Sequence, residues 1–236
     1  MRALIVGNSD GIGLALTRRL LAGGWQVTGL SRSPAPVGDH RVLDVTSPEL
    51  PVALAEVGDV DLCVYAAGVG ELLDLGPIGA GKESDAAGLA AQTRALEVNL
   101  LGAARVIEAV VPRMLAAGGG HIIGLSSLAD ALISADAPGY AASKAGLTAY
   151  LLGLDAALRP RGVAVTVVRF GFVDTKMAKS PVTPFKISPE RAVDVLMRCV
   201  RRRPAVISYP RRMALAAGTI GRLQRAAARV NRRATA

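Results

Sequence analysis

The sequence predicts an α/β domain built on one doubly wound parallel sheet of about seven strands with helices on both faces. Apolar segments of strand length alternate with longer segments of helical period, the sequence form of repeated βαβ units. The runs LIV, LCVYAA, HIIGL and VAVTVV lack polar alternation, as strands covered on both faces do. At 236 residues, 51% hydrophobic and 20% charged, the chain can bury a large core; with 3% aromatic residues it suits helices packed closely on a sheet.

In order, Ala3 to Gly7 reads as the first strand and Ile12 to Ala22 as the helix after it. Gln26 to Ser31, Arg41 to Val45 and Asp61 to Ala67 read as strands two to four. Leu89 to Ala117 is one long helix, stopped by three glycines. His121 to Ser126, Val163 to Phe170 and Ala205 to Tyr209 complete the strands; Tyr140 to Leu158 and Pro189 to Arg202 are helices. No internal repeat or linker divides the chain, so residues 1–210 form one Rossmann-type domain and residues 211–236 a basic amphipathic tail.

Composition narrows the function classes. Cys63 and Cys199 sit far apart in apolar surroundings, with neither His40 nor His121 at ligand spacing, which argues against a disulfide framework or a metal site. The first residues lack a leader-like apolar stretch and no segment has membrane-spanning length, so a cytoplasmic location is expected. Net charge is +9, yet from Arg201 onward there are ten arginines and no acidic residue, so the first 200 residues carry −1. The basicity belongs to the tail, and without interleaved aromatics or a reading motif nucleic acid is not expected as a partner. In the tail, Met213, Ala216, Ile220, Leu223, Ala227 and Val230 recur at helical spacing, with Arg222, Arg225, Arg229 and Arg232 opposite. Such a segment either folds back on its own domain or makes peripheral contact with an anionic membrane.

The first strand ends in Gly7-Asn8-Ser9-Asp10-Gly11-Ile12-Gly13 and runs into a helix. Glycines there let the backbone approach a pyrophosphate, whose charge meets free amides and the positive helix end. Asp10 brings an unhelpful negative charge unless it caps that helix. At the end of strand two, where a carboxylate would favour a free ribose 2′-hydroxyl, stand Ser31 and Arg32; a guanidinium suits a 2′-phosphate, so NADP(H) is preferred, with NAD(H) possible. Tyr140 and Lys144, four apart on a helix, share a face, so the ammonium can favour the phenolate and make Tyr140 an acid/base.

Taken together, the chain resembles the short-chain dehydrogenase/reductase family over roughly its first 210 residues. The features stand in the family's order: GNSDGIG, Asp44 after strand three, the AAG of Ala66, Ala67 and Gly68, Asn99 in the long helix, and Ser127 with YAASK. The resemblance implies that Tyr140 transfers the substrate proton, that Lys144 lowers its pKa and holds the nicotinamide ribose, and that Ser127 bonds the substrate oxygen. It implies that Asn99 positions a water behind the lysine, that Asp44 and Val45 contact adenine, and that Gly171, Val173 and Thr175 help hold the cofactor. It further implies a homodimer or homotetramer. Three positions depart from the pattern: Val6 for Thr, Ala66 for Asn, and Phe170 for the Pro before Gly171. The candidate substrate pocket, Val69 to Leu72, Ala129 to Ile133 and a lid at Thr175 to Ser188, is mostly apolar and suits a hydrophobic carbonyl compound. The competing expectation is a regulator that binds NADP without chemistry.

Overall fold

The computed structural model describes residues 1–74, 82–177 and 183–234. Seven strands form one sheet, parallel throughout: β1 (Arg2–Val6), β2 (Gln26–Ser31), β3 (Asp39–Val42), β4 (Leu62–Tyr65), β5 (Gly120–Ser127), β6 (Val163–Phe170) and β7 (Val206–Tyr209). Their order is β3-β2-β1-β4-β5-β6-β7. The direction of winding reverses at β1, so a crevice opens outside the carboxyl ends of β1 and β4. Register sets the heights around it. Val6 pairs with Leu30 and Tyr65, which brings Gly7, Ser31 and Ala66 to one level. Tyr65 pairs with Gly124, whereas β5 continues to Ser127, three residues higher.

Alternation along the strands feeds two cores. Leu4, Val6, Cys63, Tyr65, Ile122 and Val165 pack beneath α2 (Leu50–Val57), α4 (Ala103–Ala116) and α5 (Pro138–Leu158). Ala3, Ile5, Val64, Ile123 and Val168 pack beneath α1 (Gly11–Ala22) and α6 (Pro189–Arg202). Both cysteines are buried and free.

The structure differs from the sequence reading in four places. A helix, α2, stands between β3 and β4 where none is expected. It has eight residues with proline in the first turn, a position that needs no amide hydrogen, so Pro51 starts the helix instead of breaking it. β3 ends at Val42, not Val45, because this edge strand has only β2 to pair with. The long helix begins earlier and is interrupted: α3 (Lys82–Leu96) passes through a π turn (Glu97–Gly102) into α4. The tail forms α7 (Arg211–Ala234), whose contacts use only the start of the apolar stripe read from its sequence: Met213 packs on Gly171, but Ile220 and Leu223 are exposed, and Ala217 and Gly221 are buried instead.

Candidate active site

The turn after β1 is glycine by necessity. Gly7 has φ 90° and a Cβ there would lie 2.5 Å from the Ala67 nitrogen; one at Gly13 would lie 2.0 Å from the Gly7 carbonyl oxygen. Gly11 has φ 53°, and a Cβ there would lie 3.0 Å from the Thr175 methyl. Asp10 is the N-cap of α1: its Oδ1 accepts from the Gly11 amide at 2.7 Å while its Oδ2 pairs with Lys176 at 2.9 Å. The hydrogen bond from Lys176, then that from Gly11, holds its carboxyl below the usual range. Its negative charge is therefore used by the helix and by a lysine of the facing loop. Asn8 is fully buried over Gly29, which has no side chain to block it, and its Nδ2 lacks a partner. Ser9 sits half-buried beside it, and Ile12 packs into the core below α1. A cradle that a single methyl would fill, with a spare buried donor, fits a dinucleotide's phosphates.

At the end of β2, the buried Ser31 hydroxyl lies 2.9 Å from the Ser33 carbonyl. Arg32 is exposed and has no hydrogen bond or ion pair among the described residues. Asp44 is already engaged: Oδ1 accepts from the Thr46 amide (2.9 Å) and hydroxyl (2.8 Å), and Oδ2 pairs with Arg94 at 2.6 Å. Burial works to raise its pKa, but Thr46, Arg94 and Arg32 together hold it down. This is the geometry of a turn residue that braces α3. Val45 is buried against Gly102, where a Cβ would come within 2.8 Å of its methyl.

Ala66, Ala67 and Gly68 continue from β4 over the crevice, and the loop is tied down by Asn99. The Val69 amide donates to Asn99 Oδ1 at 2.8 Å; Asn99 Nδ2 donates to the Val69 carbonyl and the Ser143 hydroxyl, both at 2.9 Å. The side chain sits at the centre of the π turn, wholly buried. Both its hydrogens are spent, one on the Val69 carbonyl and one on Ser143. Gln92 does similar work one face-turn earlier. It donates to the Glu71 carbonyl at 3.2 Å and accepts from Gly139 at 3.0 Å, joining the loop to the start of α5.

Ser127, the last residue of β5, accepts from the Ala129 amide at 3.1 Å. Its hydroxyl neighbours the Tyr140 phenol. Burial pushes that phenol up, the Ser127 hydroxyl pulls it down, and the Asp130 charge adds to the rise. Gly70 lies flat on the phenol ring; a Cβ would be 3.1 Å away. Lys144 is buried, its Nζ donating to the Leu125 carbonyl at 2.8 Å and standing 5.7 Å from the Tyr140 ring centre. Burial lowers its pKa to about 8. Ser126, by contrast, faces the protein, bonded to the Lys144 carbonyl and Thr148. Beneath lies a charge pair absent from the sequence reading: Asp130, 4% exposed, accepts from Arg169 at 2.7 and 2.5 Å and from Thr148 at 2.7 Å. Nothing in the spacing marks Arg169 as its partner.

After β6, Gly171 leaves room for Met213 of α7, whose sulfur would be 2.8 Å from a Cβ. Val173 pairs with Ile187 at the base of the expected lid, and Thr175 leans on Gly11. Residues 178–182 of the lid lie outside those described. The structure thus brings Ser127, Tyr140, Lys144 and Asn99 to one end of the crevice, with the glycine turn beside them.

A family model described as short chain dehydrogenase matches residues 1–184. The chain belongs to the short chain dehydrogenase family. This dehydrogenase is 29% identical over 235 residues to an uncharacterized oxidoreductase of Myxococcus xanthus, covering 90% of this chain and 88% of the other. It is 31% identical over 193 residues to the 3-oxoacyl-[acyl-carrier-protein] reductase FabG of Salmonella typhimurium, covering 75% of each. A short chain dehydrogenase from Burkholderia cenocepacia, crystallised in complex with NADP, superposes with a TM-score of 0.79 at 25% identity, covering 98% of this chain and 96% of the other.

Proposed function

We propose that this short chain dehydrogenase is NADP(H)-dependent and interconverts a carbonyl and an alcohol on a small, hydrophobic substrate. The observation that carries this reading is the Tyr140 phenol set between the Ser127 hydroxyl and a buried Lys144, at the mouth of a glycine turn that only a backbone can line. A bound nicotinamide dinucleotide supplies the hydride. Ser127 and Tyr140 hold the substrate oxygen between their hydroxyls, and Tyr140 gives it a proton as the carbon is reduced, or removes one in the reverse direction. A phenol that burial keeps protonated is the competent form for reduction. Lys144, anchored by the Leu125 carbonyl, supplies charge near the phenol and a donor for the nicotinamide ribose. Asn99 fixes the Val69 loop over the site and, as the family resemblance implies, positions a water behind Lys144.

Gly7 to Gly13 would take the pyrophosphate, and Arg32, exposed without a partner among the described residues, would take a 2′-phosphate. The NADP complex of the Burkholderia relative supports that preference. The exposed Leu101 and Leu152 on the long helices support a homodimer or homotetramer. A panel of hydrophobic ketones and alcohols, read at the nicotinamide absorbance with each of the four cofactor forms, tests the proposal. NADPH-dependent turnover of at least one carbonyl compound is expected; tight NADPH binding without turnover of any compound would favour the regulator reading.

A further inference from the structure

α7 is held on its own chain by its smallest side chains. Ala217 and Gly221 are buried, and a Cβ at Gly221 would stand 1.8 Å from the Ala131 carbonyl oxygen. Beside them, Gln224 accepts from the Ile133 amide at 2.9 Å and donates to the Ile133 carbonyl at 3.0 Å; Arg225 donates to the Ala131 carbonyl at 3.0 Å. At about 3.6 residues per turn, this contact side turns Leu215, Ile220 and Leu223 away from the domain. They are 74%, 48% and 66% exposed, and Ile133, held by Gln224, is 52% exposed. A helix folded back for burial alone would turn its leucines inward. Beyond Met213, which packs on Gly171 at its start, this one buries alanine and glycine and displays Leu215, Ile220 and Leu223.

The charge on the same helix is one-sided. From Arg211 to the last residue there are seven arginines and no acidic residue. Arg211, Arg212 and Arg222 are exposed and form no ion pair among the described residues. No helix among the described residues is long and apolar enough to cross a membrane.

We propose that α7 seats this enzyme on the surface of an anionic lipid bilayer, with Leu215, Ile220 and Leu223 entering the acyl boundary and the arginines meeting headgroup phosphates. A second copy is the poorer occupant, because symmetric pairing would set seven arginines against seven with no acid between them. Nucleic acid offers nothing for the three aliphatic side chains, and α7 has no aromatic residue on which a base could stack. α7 rests on Ala131 and Ile133, just after Ser127, so this docking holds the lipid surface next to the segment that follows Ser127. The docking does not depend on which reaction the crevice performs.

The test is sedimentation of the full chain with vesicles of phosphatidylcholine alone and vesicles enriched in phosphatidylglycerol, at low and high salt. At low salt, at least about tenfold more protein should pellet with the anionic vesicles, and salt should weaken the binding. Replacing Leu215, Ile220 and Leu223 together by serine should cut that binding about tenfold, with circular dichroism and NADPH binding unchanged. In a Leu223→Trp variant carried on a Trp25→Phe background, tryptophan emission should shift to the blue on adding anionic vesicles. Equal failure to pellet with both vesicle types would overturn the proposal. So would anionic binding that the triple serine variant retains in full, or polyglutamate or duplex DNA binding as tight as that to vesicles and untouched by the serines, since an acidic surface of any kind would then suffice.

Discussion

Lys144 donates its ammonium to the Leu125 carbonyl at 2.8 Å from a side chain only 4% exposed. The amine is held where solvation is poor, and burial brings its pKa down to about 8. An unfolded chain keeps that proton up to the ordinary lysine range of about 10.4, so between these values the unfolded state binds more protons and stability climbs with pH. Below about 8 the full penalty of a buried charge is present. Lys144→Met should therefore abolish turnover while raising stability at pH 7 by roughly 2 kcal/mol, the desolvation relieved less the hydrogen bond lost. Chemical denaturation of both proteins at pH 7 and pH 10 checks this; the gain should shrink at the higher pH.

Arg32 is exposed at the end of β2, and its one interaction with the fold is the pull of its charge on Asp44, so its removal should be felt by the cofactor far more than by the fold. Arg32→Ala should raise the KM for NADPH roughly 10- to 100-fold, the value of one or two charge-assisted hydrogen bonds, and leave the KM for NADH within about threefold. Steady-state kinetics with both cofactors measures the split.

His121 donates from Nε2 to the Thr166 hydroxyl at 2.8 Å, because that hydroxyl gives its own hydrogen to the Pro204 carbonyl. Nδ1 is then a buried acceptor without a partner. Desolvation, with the nearby Arg203 and Arg159 charges, lowers the pKa to about 4. An unfolded histidine takes up its proton near 6.5, so the stability this site contributes is whole above about 6.5 and is lost as pH falls toward 4, by up to roughly 3 kcal/mol. His121→Gln should flatten the stability profile across that window, as read by denaturation midpoints at closely spaced pH values.

Much of this was legible before any coordinates. The central strands β1, β4, β5 and β6 announce themselves because a strand buried on both faces must be apolar without alternation, and the glycines at 7, 11 and 13 because no side chain fits there. What escaped has a physical reason in each case. α2 hid because Pro51 is a breaker inside a helix but a starter at its first turn. The π turn at Glu97–Gly102 hid because one inserted residue leaves the apolar pattern of a helix nearly intact. Gln92 and Asn99, seven apart on one helix, were open to notice as two amides on a single apolar face. The pairing of Asp130 with Arg169 was not, since it joins β6 to a turn 39 residues earlier and local spacing carries no trace of it. For α7 the stripe was visible but its direction was not: which side of a helix docks is decided by how closely its backbone can approach, and here Gly221 decided it.

The Asp130–Arg169 pair lies under the turn that carries Ser127, with Arg169 22% exposed and Asp130 4%. Removing one partner strands the other, so Asp130→Ala should cost about 3–5 kcal/mol, whereas Asp130→Leu combined with Arg169→Met should restore most of the stability. A thermal denaturation series over the two single variants and the double variant provides the cycle.

The central claim is that the Tyr140 phenol, beside the Ser127 hydroxyl, is the group that passes the proton to and from the substrate oxygen. The most direct measurement is Tyr140→Phe, assayed at once for NADPH binding by fluorescence titration and for carbonyl reduction by loss of nicotinamide absorbance. Turnover should fall at least about a thousandfold, with the NADPH dissociation constant changed by less than about threefold. Turnover within a few-fold of the unaltered enzyme would contradict the assignment and leave the hydroxyl pair a structural contact.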